Sequence, residues 1–180
     1  NLSEKRISYG YHHVRGVGGS SLHFTGEAHR LNPQSMKMKS RFGVAADWPL
    51  SYDDLEPYYV QAENIVGVAG PFNDAHRPRS APYPEPAHNL SYTSRLLSKT
   101  FKKKGLKLTE NSLAVLSQAR AERLNCNYCG NCLKGCPRSD KGSMDVTYIR
   151  EAEASPNLDI RTGCYVTKIE TTQNDKVKGV

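Results

Sequence analysis

Apolar and polar positions alternate with a helical period in the stretch that follows Ser51. Ser51 and Asp54 have the spacing of a capping box, and Pro57 suits the first turn of a helix. The following apolar side chains would share one face of that helix: Tyr58, Ala62, Ile65 and Val66. Glycine adopts the left-handed conformation that ends helices, so Gly67 or Gly70 is expected to end this one.

A second amphipathic pattern predicts a helix over residues 92–104. Leu96, Leu97 and Phe101 would face inward, and Gly105 would stop the helix. The proline-rich residues 71–90 show no period and predict an extended surface connection. The other predicted elements are strands at 106–110 and 112–117, a helix at 145–154, and strands over 158–180 with a turn at Asn174 and Asp175. This mixture of helices and strands predicts an α/β fold.

Charge and hydropathy limit the classes of protein to which this chain can belong. The chain has 180 residues, a formal net charge of +7 and a mean hydropathy of −0.64. The positive residues are scattered, and the one run, Lys102-Lys103-Lys104, ends a predicted helix, where cations suit the helix dipole. We therefore predict no nucleic-acid partner. No run approaches the roughly 18 apolar residues of a membrane-spanning helix, and the N-terminus lacks the pattern of a signal peptide.

Cysteines concentrate in one short stretch, CNYCGNCLKGCP. Their positions, Cys126, Cys129, Cys132 and Cys136, followed by Pro137, reproduce the spacing C-x2-C-x2-C-x3-C-P of bacterial ferredoxins. In those proteins the tight loop directs several sulfurs to one iron–sulfur cluster. The spacing therefore favours an iron–sulfur site.

Other interpretations of these cysteines stay open. We call residues 126–137 the cysteine loop. Structural zinc sites usually separate two C-x2-C pairs by a dozen or more residues, and disulfide frameworks are typical of small secreted domains, so both are less favoured. A three-iron cluster with three sulfurs and a cluster with a distant fourth ligand both fit the run. Cys164, in a predicted strand, is expected to be a buried small apolar side chain rather than that ligand.

Three motifs carry a resemblance to a known family. They are RGVGGSSLHF, DWPLSYDDLEPYY and CNYCGNCLKGCPRSDKGS, in this order. At these motifs the chain resembles the glucose–methanol–choline (GMC) flavin oxidoreductases, in particular the branch of bacterial FAD-dependent glucose, gluconate and fructose dehydrogenase large subunits. The resemblance runs from about Val14 to Val180. It implies part of the Rossmann-like, FAD-binding GMC fold.

The resemblance also implies which residues meet the cofactor. The residues expected along the flavin and its pyrophosphate are Gly18, Gly19, Ser20 and Ser21. His23 takes the place of a histidine that lies beside the flavin in related branches, and Val166 matches a valine whose backbone contacts the adenine. No role is implied for Arg30 or Tyr59.

Two parts of the family pattern are absent from these residues. Neither the dinucleotide fingerprint G-x-G-x-x-G nor the family's C-terminal catalytic histidine occurs here. We therefore expect a fragment that is inactive alone. The expected division is 1–50 in the FAD-binding domain, 51–110 as a helical, proline-rich connection with part of the substrate domain, 111–155 as the cysteine loop and a helix, and 156–180 as return strands of the FAD-binding domain.

The expected function follows from the resemblance. It is oxidation of the CH–OH group of a sugar, polyol or other alcohol by hydride transfer to FAD, with electrons passing to a [3Fe–4S] or [4Fe–4S] cluster and onward to a haem subunit. The alternatives are a ferredoxin-like electron-transfer module and a zinc module that binds nucleic acid. Resemblance alone suggests a periplasmic or membrane-associated location.

Overall fold

Short helices and strands joined by irregular segments build the fold. The computed structural model describes residues 13–71 and 77–180. The helices are α1 (Met38–Phe42), α2 (Tyr52–Val66), α3 (Tyr92–Lys103) and α4 (Tyr148–Glu153), with 3-10 turns at Gly19–His23, Pro33–Met36, Cys132–Lys134 and Met144–Val146. Parallel strands β1 (Ala69–Gly70) and β2 (Glu85–Pro86) form one sheet, and antiparallel β3 (Glu170–Thr171) and β4 (Val177–Gly179) form another.

Helix α2 has the predicted cap and the predicted end. Ser51 Oγ accepts from the backbone N–H of Asp54 at 3.2 Å, and the Asp54 carboxylate accepts from the N–H of Ser51 at 2.8 Å. The helix ends where Gly67 adopts a left-handed φ of 76°. Because α2 begins at Tyr52, Pro57 lies beyond the first turn, so its predicted position was wrong. Tyr58 is 66% exposed, and the helix buries Tyr52 and Glu63 instead.

An extended segment, residues 112–116, runs through the core. Leu113 exchanges two backbone hydrogen bonds with Ala69, at 2.7 and 2.8 Å. Ala114 donates to Gly26 O at 2.6 Å and accepts from Gly142 N at 2.8 Å. The predicted extended conformation is present, but its pairing consists of isolated bridges rather than a regular strand. This segment therefore joins distant parts of the chain.

Helix α3 forms as predicted, but the prediction that its apolar side chains face inward was wrong. Leu96 and Leu97 are 45% and 47% exposed, and Phe101 is only half-buried. Gly105 follows the helix with a φ of 72°, as expected. The spacing of apolar residues is enough to predict the helix. It does not show whether another segment packs against the apolar face. Residues 106–110 form no strand, which corrects that prediction as well.

The C-terminal region contains only part of the predicted strands. The hairpin of β3 and β4 turns at Asn174 and Asp175, where Asp175 has a φ of 55° and donates to Thr172 O at 3.1 Å. Residues 158–169 are irregular and exposed, because no described segment pairs with them. Cys164 is exposed, so the prediction of a buried side chain was wrong.

The helix predicted at 145–154 is broken into two pieces. A 3-10 turn covers Met144–Val146, and α4 starts at Tyr148. Thr147 lies between them with φ −123° and ψ −99°, outside the helical region, and its hydroxyl donates to Ser143 O at 2.8 Å. Thr147 therefore interrupts the helix.

A buried ion network fastens the proline-rich connection to α2. Glu63 accepts two hydrogen bonds from Arg30, at 2.7 and 2.8 Å, and two from Arg79, at 3.0 and 2.6 Å. Arg30, which is 2% exposed, also donates to Glu56 at 2.8 Å and to the carbonyl of Pro78 at 3.2 Å. Residues 77–86 are thus held against the core rather than lying free on the surface, and Arg30 has a structural role that the sequence did not indicate.

We expect Glu56 to make stability depend on acid pH. Burial would raise the pKa of Glu56, but hydrogen bonds from Ser80 and Arg30 outweigh burial and lower the pKa from 4.5 to about 2. A lowered folded-state pKa stabilises the protein above pH 4.5, and that contribution disappears as pH falls from 4.5 to about 2. Urea unfolding at stepped pH should show a loss of about 1 to 3 kcal/mol in this window. Glu56→Gln should be less stable at pH 7 and flatter across the window; an unchanged pH profile would contradict this.

Substitution of Glu63 should be severe. Glu63→Gln leaves two buried guanidinium groups with one carboxylate fewer, which costs about 3 to 5 kcal/mol in the free energy of unfolding. Glu122→Gln is the matched control, because the Glu122 side chain is 85% exposed and lies 3.7 Å from Arg150 in a surface ion pair. Urea unfolding should show a change below about 0.5 kcal/mol for the control. Equal losses in the two variants would refute a structural role for the network.

Candidate functional site

The glycine–serine segment, residues 18–24, contains two glycines with different surroundings. Gly18 and Gly19 both have positive φ, at 92° and 55°. A Cβ on Gly18 would lie 3.1 Å from side-chain atoms of Asp145 and Leu22, whereas a Cβ on Gly19 would have nothing within 4 Å. Gly18 is therefore required by packing, and Gly19 leaves an open face that a ligand can approach.

The two serines of this segment also differ. Ser21 Oγ donates to Gly18 O at 2.5 Å and accepts from the N–H of Met144 at 2.9 Å. Its hydroxyl is thus committed to the protein. Ser20 is exposed, so its hydroxyl can serve a ligand.

His23 connects the glycine–serine segment to the cysteine loop. Its Nδ1 lies 2.7 Å from the carbonyl oxygen of Leu133. A carbonyl only accepts, so Nδ1 carries the proton and Nε2 is the nitrogen left for another partner. His23 and Asp145 line a cavity of about 620 Å³ that the cysteine loop closes on one side. Asp145 Oδ1 is buried and has no hydrogen-bond partner among the described residues.

All four cysteine residues of the loop line one cavity of about 330 Å³. The loop folds back on itself through positive φ at Tyr128, Gly130 and Gly135, of 59°, 72° and 98°. His88 closes the cavity from the proline-rich connection, with Nε2 2.8 Å from Val115 O. The backbone therefore brings the four cysteines to one place, as their spacing predicts.

The sulfur atoms do not converge within this cavity. Cys136 Sγ donates to Asp140 Oδ1 at 2.8 Å, and Cys126 Sγ accepts from the N–H of Tyr128 at 3.3 Å. Burial is the main cause that raises the pKa of Cys126, so this thiol stays protonated. All five cysteines are free, and among residues 13–71 and 77–180 no three His, Cys, Asp or Glu side chains form a metal site. The cysteines fit a cluster in position but not in side-chain orientation.

Lys141 lies between the glycine–serine segment and the cysteine loop, completely buried. Its Nζ donates to the carbonyls of Leu22 at 2.9 Å, Phe24 at 3.0 Å and Cys132 at 2.7 Å. Burial lowers the pKa of Lys141, but three carbonyl acceptors require three N–H donors, which only the ammonium form has. Lys141 is therefore charged and joins the two segments.

Arg123 is a second buried cation beside the loop. Its guanidinium donates to the carbonyls of Ser139 at 2.8 Å, Val66 at 3.0 Å and Asp140 at 3.1 Å. Sequence reasoning missed both Lys141 and Arg123. Lysine and arginine are almost never fully buried, so nothing in their sequence context signals these roles.

Val166 is 59% exposed. Residues 15–17 and 160–165 line a shared cavity of about 490 Å³, and the Arg15 guanidinium lies 5.7 Å from the centre of the Tyr165 ring. The structure therefore brings the chain before Gly18 next to the chain before Val166. It does not give Val166 itself a binding surface, and its role stays a prediction.

None of the helices that residues 13–71 and 77–180 form is long and apolar enough to cross a membrane.

Comparison with known proteins decides the family. The family model described as GMC oxidoreductase matches residues 13–180. The chain belongs to the GMC oxidoreductase family. This confirms the predicted family and the predicted α/β class with part of the FAD-binding GMC fold.

Individual GMC relatives are similar over most of the chain. The fructose dehydrogenase large subunit of Gluconobacter japonicus is 33% identical over 73% of this chain and 25% of its own length. The gluconate 2-dehydrogenase flavoprotein of Pantoea cypripedii is 25% identical over 89% of the chain and 31% of its length. The 2-methyl-1,2-propanediol dehydrogenase of Mycolicibacterium austroafricanum is 28% identical over 92% and 30%. The chain thus spans about a quarter to a third of these relatives.

The two glycines should respond differently to alanine. Gly18→Ala meets Asp145 and Leu22 at a φ of 92° and should lower the free energy of unfolding by about 2 kcal/mol or more. Gly19→Ala meets only the left-handed backbone penalty of about 1 kcal/mol. Chemical denaturation of both variants checks this. A larger loss for Gly19→Ala than for Gly18→Ala would contradict the assignment of Gly18 to packing.

Proposed function

We propose that the protein carrying this chain is an FAD-dependent dehydrogenase. It oxidises a CH–OH group of a sugar, polyol or other alcohol and passes electrons on through an iron–sulfur cluster. The observation that carries this proposal is the direct junction of the glycine–serine segment with the cysteine loop, where His23 Nδ1 donates to Leu133 O at 2.7 Å. A flavin segment and a cysteine loop in contact suit an enzyme in which both serve one electron path.

The glycine–serine segment fits FAD. Gly19 and Ser20 present an open backbone face and a free hydroxyl, and Gly18 and Ser21 hold that face in place. We assign to His23 Nε2 the role of a contact to the flavin. FAD, when bound, supplies the acceptor for a hydride. Val166 remains the proposed contact to the adenine.

The cysteine loop is the proposed cluster site. The proposed ligands, with a [3Fe–4S] or [4Fe–4S] cluster, are Cys126, Cys129, Cys132 and Cys136. Rotation about χ1 between staggered positions would turn the sulfurs of Cys126 and Cys136 from their present partners toward the shared cavity. Thiolates and a cluster bring negative charge, and the buried cations Lys141 and Arg123 lie where they offset it. The cluster, when bound, supplies a one-electron acceptor.

Relatives support the substrate class and the partner. Two are named for fructose and gluconate and one for a diol, and all three are dehydrogenases. The names of two relatives, a large subunit and a flavoprotein, describe parts of a larger enzyme. We therefore propose that a further subunit, a haem protein, accepts the electrons. A ferredoxin-like module and a zinc module for nucleic acid are disfavoured, because the GMC match covers residues 13–180 rather than the cysteine loop alone.

Cofactor analysis of the full-length protein tests the proposal. We expect the visible absorption of oxidised flavin, iron without stoichiometric zinc, and an EPR signal from the cluster. Cys129→Ser and Cys132→Ser should lose the iron and the EPR signal and retain FAD. Cys164→Ser is the matched control, because Cys164 is exposed and lies outside the cavity. Zinc in place of iron would overturn the cluster, and absence of flavin would overturn the dehydrogenase.

A further inference from the structure

We propose that helix α3 and the residues around it bind the surface of an anionic membrane. Exposed apolar side chains of the helix enter the headgroup region, and its basic side chains meet the lipid phosphates. We call residues 91–107 the α3 surface. It shares no residue with the glycine–serine segment or the cysteine loop, and the inference does not depend on the proposed function.

Almost the whole net charge of the chain resides in the α3 surface. Residues 91–107 contain six lysine or arginine residues and no aspartate or glutamate. The rest of the chain contains 19 such cations and 18 carboxylate side chains, so it is close to neutral. The six cations are exposed, and none forms an ion pair with a described residue: Arg95, Lys99, Lys102, Lys103, Lys104 and Lys107.

Apolar side chains share the exposed side of α3 with these cations. Tyr92 is 70% exposed and Leu96 is 45% exposed, and their helical spacing places both in one stripe with Lys99 and Lys103. Leu97, on the flank of this stripe, is 47% exposed. The exposed side is therefore apolar toward the start of the helix and basic toward its end.

The described residues give α3 little support. Among its side chains only Ser94, Ser98 and Phe101 are partly buried, and none is fully buried. The helix has 12 residues, and isolated helices shorter than about 12 to 15 residues are marginal in water, so they depend on packing of an apolar face. An occupant that covers Tyr92, Leu96 and Leu97 would supply this packing.

The charge pattern decides which occupant fits. Lysine and arginine are almost never fully buried unless paired, so a dry protein interior does not suit this surface. A second copy would place like charges against each other, and nucleic acid would leave the leucines in water. The interface of an anionic membrane accepts both kinds of side chain, because apolar groups enter the headgroup boundary and long basic side chains extend to the phosphates.

One pair of variants tests the apolar contribution. Leu96→Gln removes an exposed apolar side chain and keeps a good helix former at that position. Leu158→Gln is the matched control, because Leu158 is 40% exposed and lies outside the α3 surface.

A second pair tests the charge. Lys102→Gln combined with Lys103→Gln removes two cations of the α3 surface. Lys176→Gln combined with Lys178→Gln is the matched control, because these two exposed lysines lie at the hairpin of β3 and β4. Both double variants have the same net charge, so only the place of the lost charge differs.

The test measures co-sedimentation of the full-length protein with lipid vesicles. Vesicles of phosphatidylcholine and phosphatidylglycerol, in about a three-to-one ratio, should bind the wild type, and phosphatidylcholine vesicles should not, because anionic lipid attracts basic residues. Leu96→Gln and the Lys102 and Lys103 double variant should each bind about tenfold more weakly, and both controls should match the wild type. Added sodium chloride should weaken binding, because salt screens exposed charges.

Hydrogen–deuterium exchange locates the contact in the same protein. Anionic vesicles should slow exchange in peptides that cover residues 91–107 and leave peptides that cover residues 170–179 unchanged. Slowing in the second region alone would contradict the inference.

The vesicle measurements can also overturn the inference. Equal binding to both kinds of vesicle, binding to neither, or an equal loss in a variant and its control would do so. Binding to polyglutamate but not to vesicles would assign the α3 surface to an acidic protein partner instead. If Leu96→Gln does not fold, the remainder of the full-length protein covers α3, and the inference is wrong.

Discussion

A single buried ammonium determines how the two chemically informative parts of this chain meet. Lys141 donates to carbonyls of the glycine–serine segment and of the cysteine loop, within 3.0 Å in each case. A buried charge is tolerated only when its hydrogen bonds are complete. These hydrogen bonds therefore fix the positions of Leu22, Phe24 and Cys132 relative to one another. They thereby also fix where His23 and the cysteine cavity lie.

The remaining structure supports this junction from the opposite side. Residues 112–116 bond to Ala69, Gly26 and Gly142, and so connect α2 to the segments on either side of the junction. The network of Glu63 with two arginines then holds the proline-rich connection on α2. His88, at the end of that connection, closes the cysteine cavity. Polar contacts between distant segments, more than regular sheet, position the site.

Local signals in the sequence predicted local structure well. The capping box at Ser51 and the glycine at 67 fixed α2, because caps depend only on neighbouring residues. The cysteine spacing predicted a loop that directs several sulfurs to one cluster; the four residues do line one cavity, but their sulfurs do not converge there. Features that depend on distant partners were missed: the exposed face of α3, the irregular residues 158–169, and the burial of Arg30, Arg123 and Lys141. A charged residue is normally exposed, and only a complete set of distant acceptors makes its burial favourable.

Anomalous X-ray scattering from crystals of the full-length protein tests the central claim most directly. If the glycine–serine segment and the cysteine loop form one redox site, data on either side of the iron edge should give a strong peak inside the cavity lined by the four cysteines. Flavin density should then lie against Gly19 and Ser20, with His23 between the flavin and the iron. A peak only at the zinc edge, no peak in that cavity, or flavin bound away from Gly19 would contradict the account.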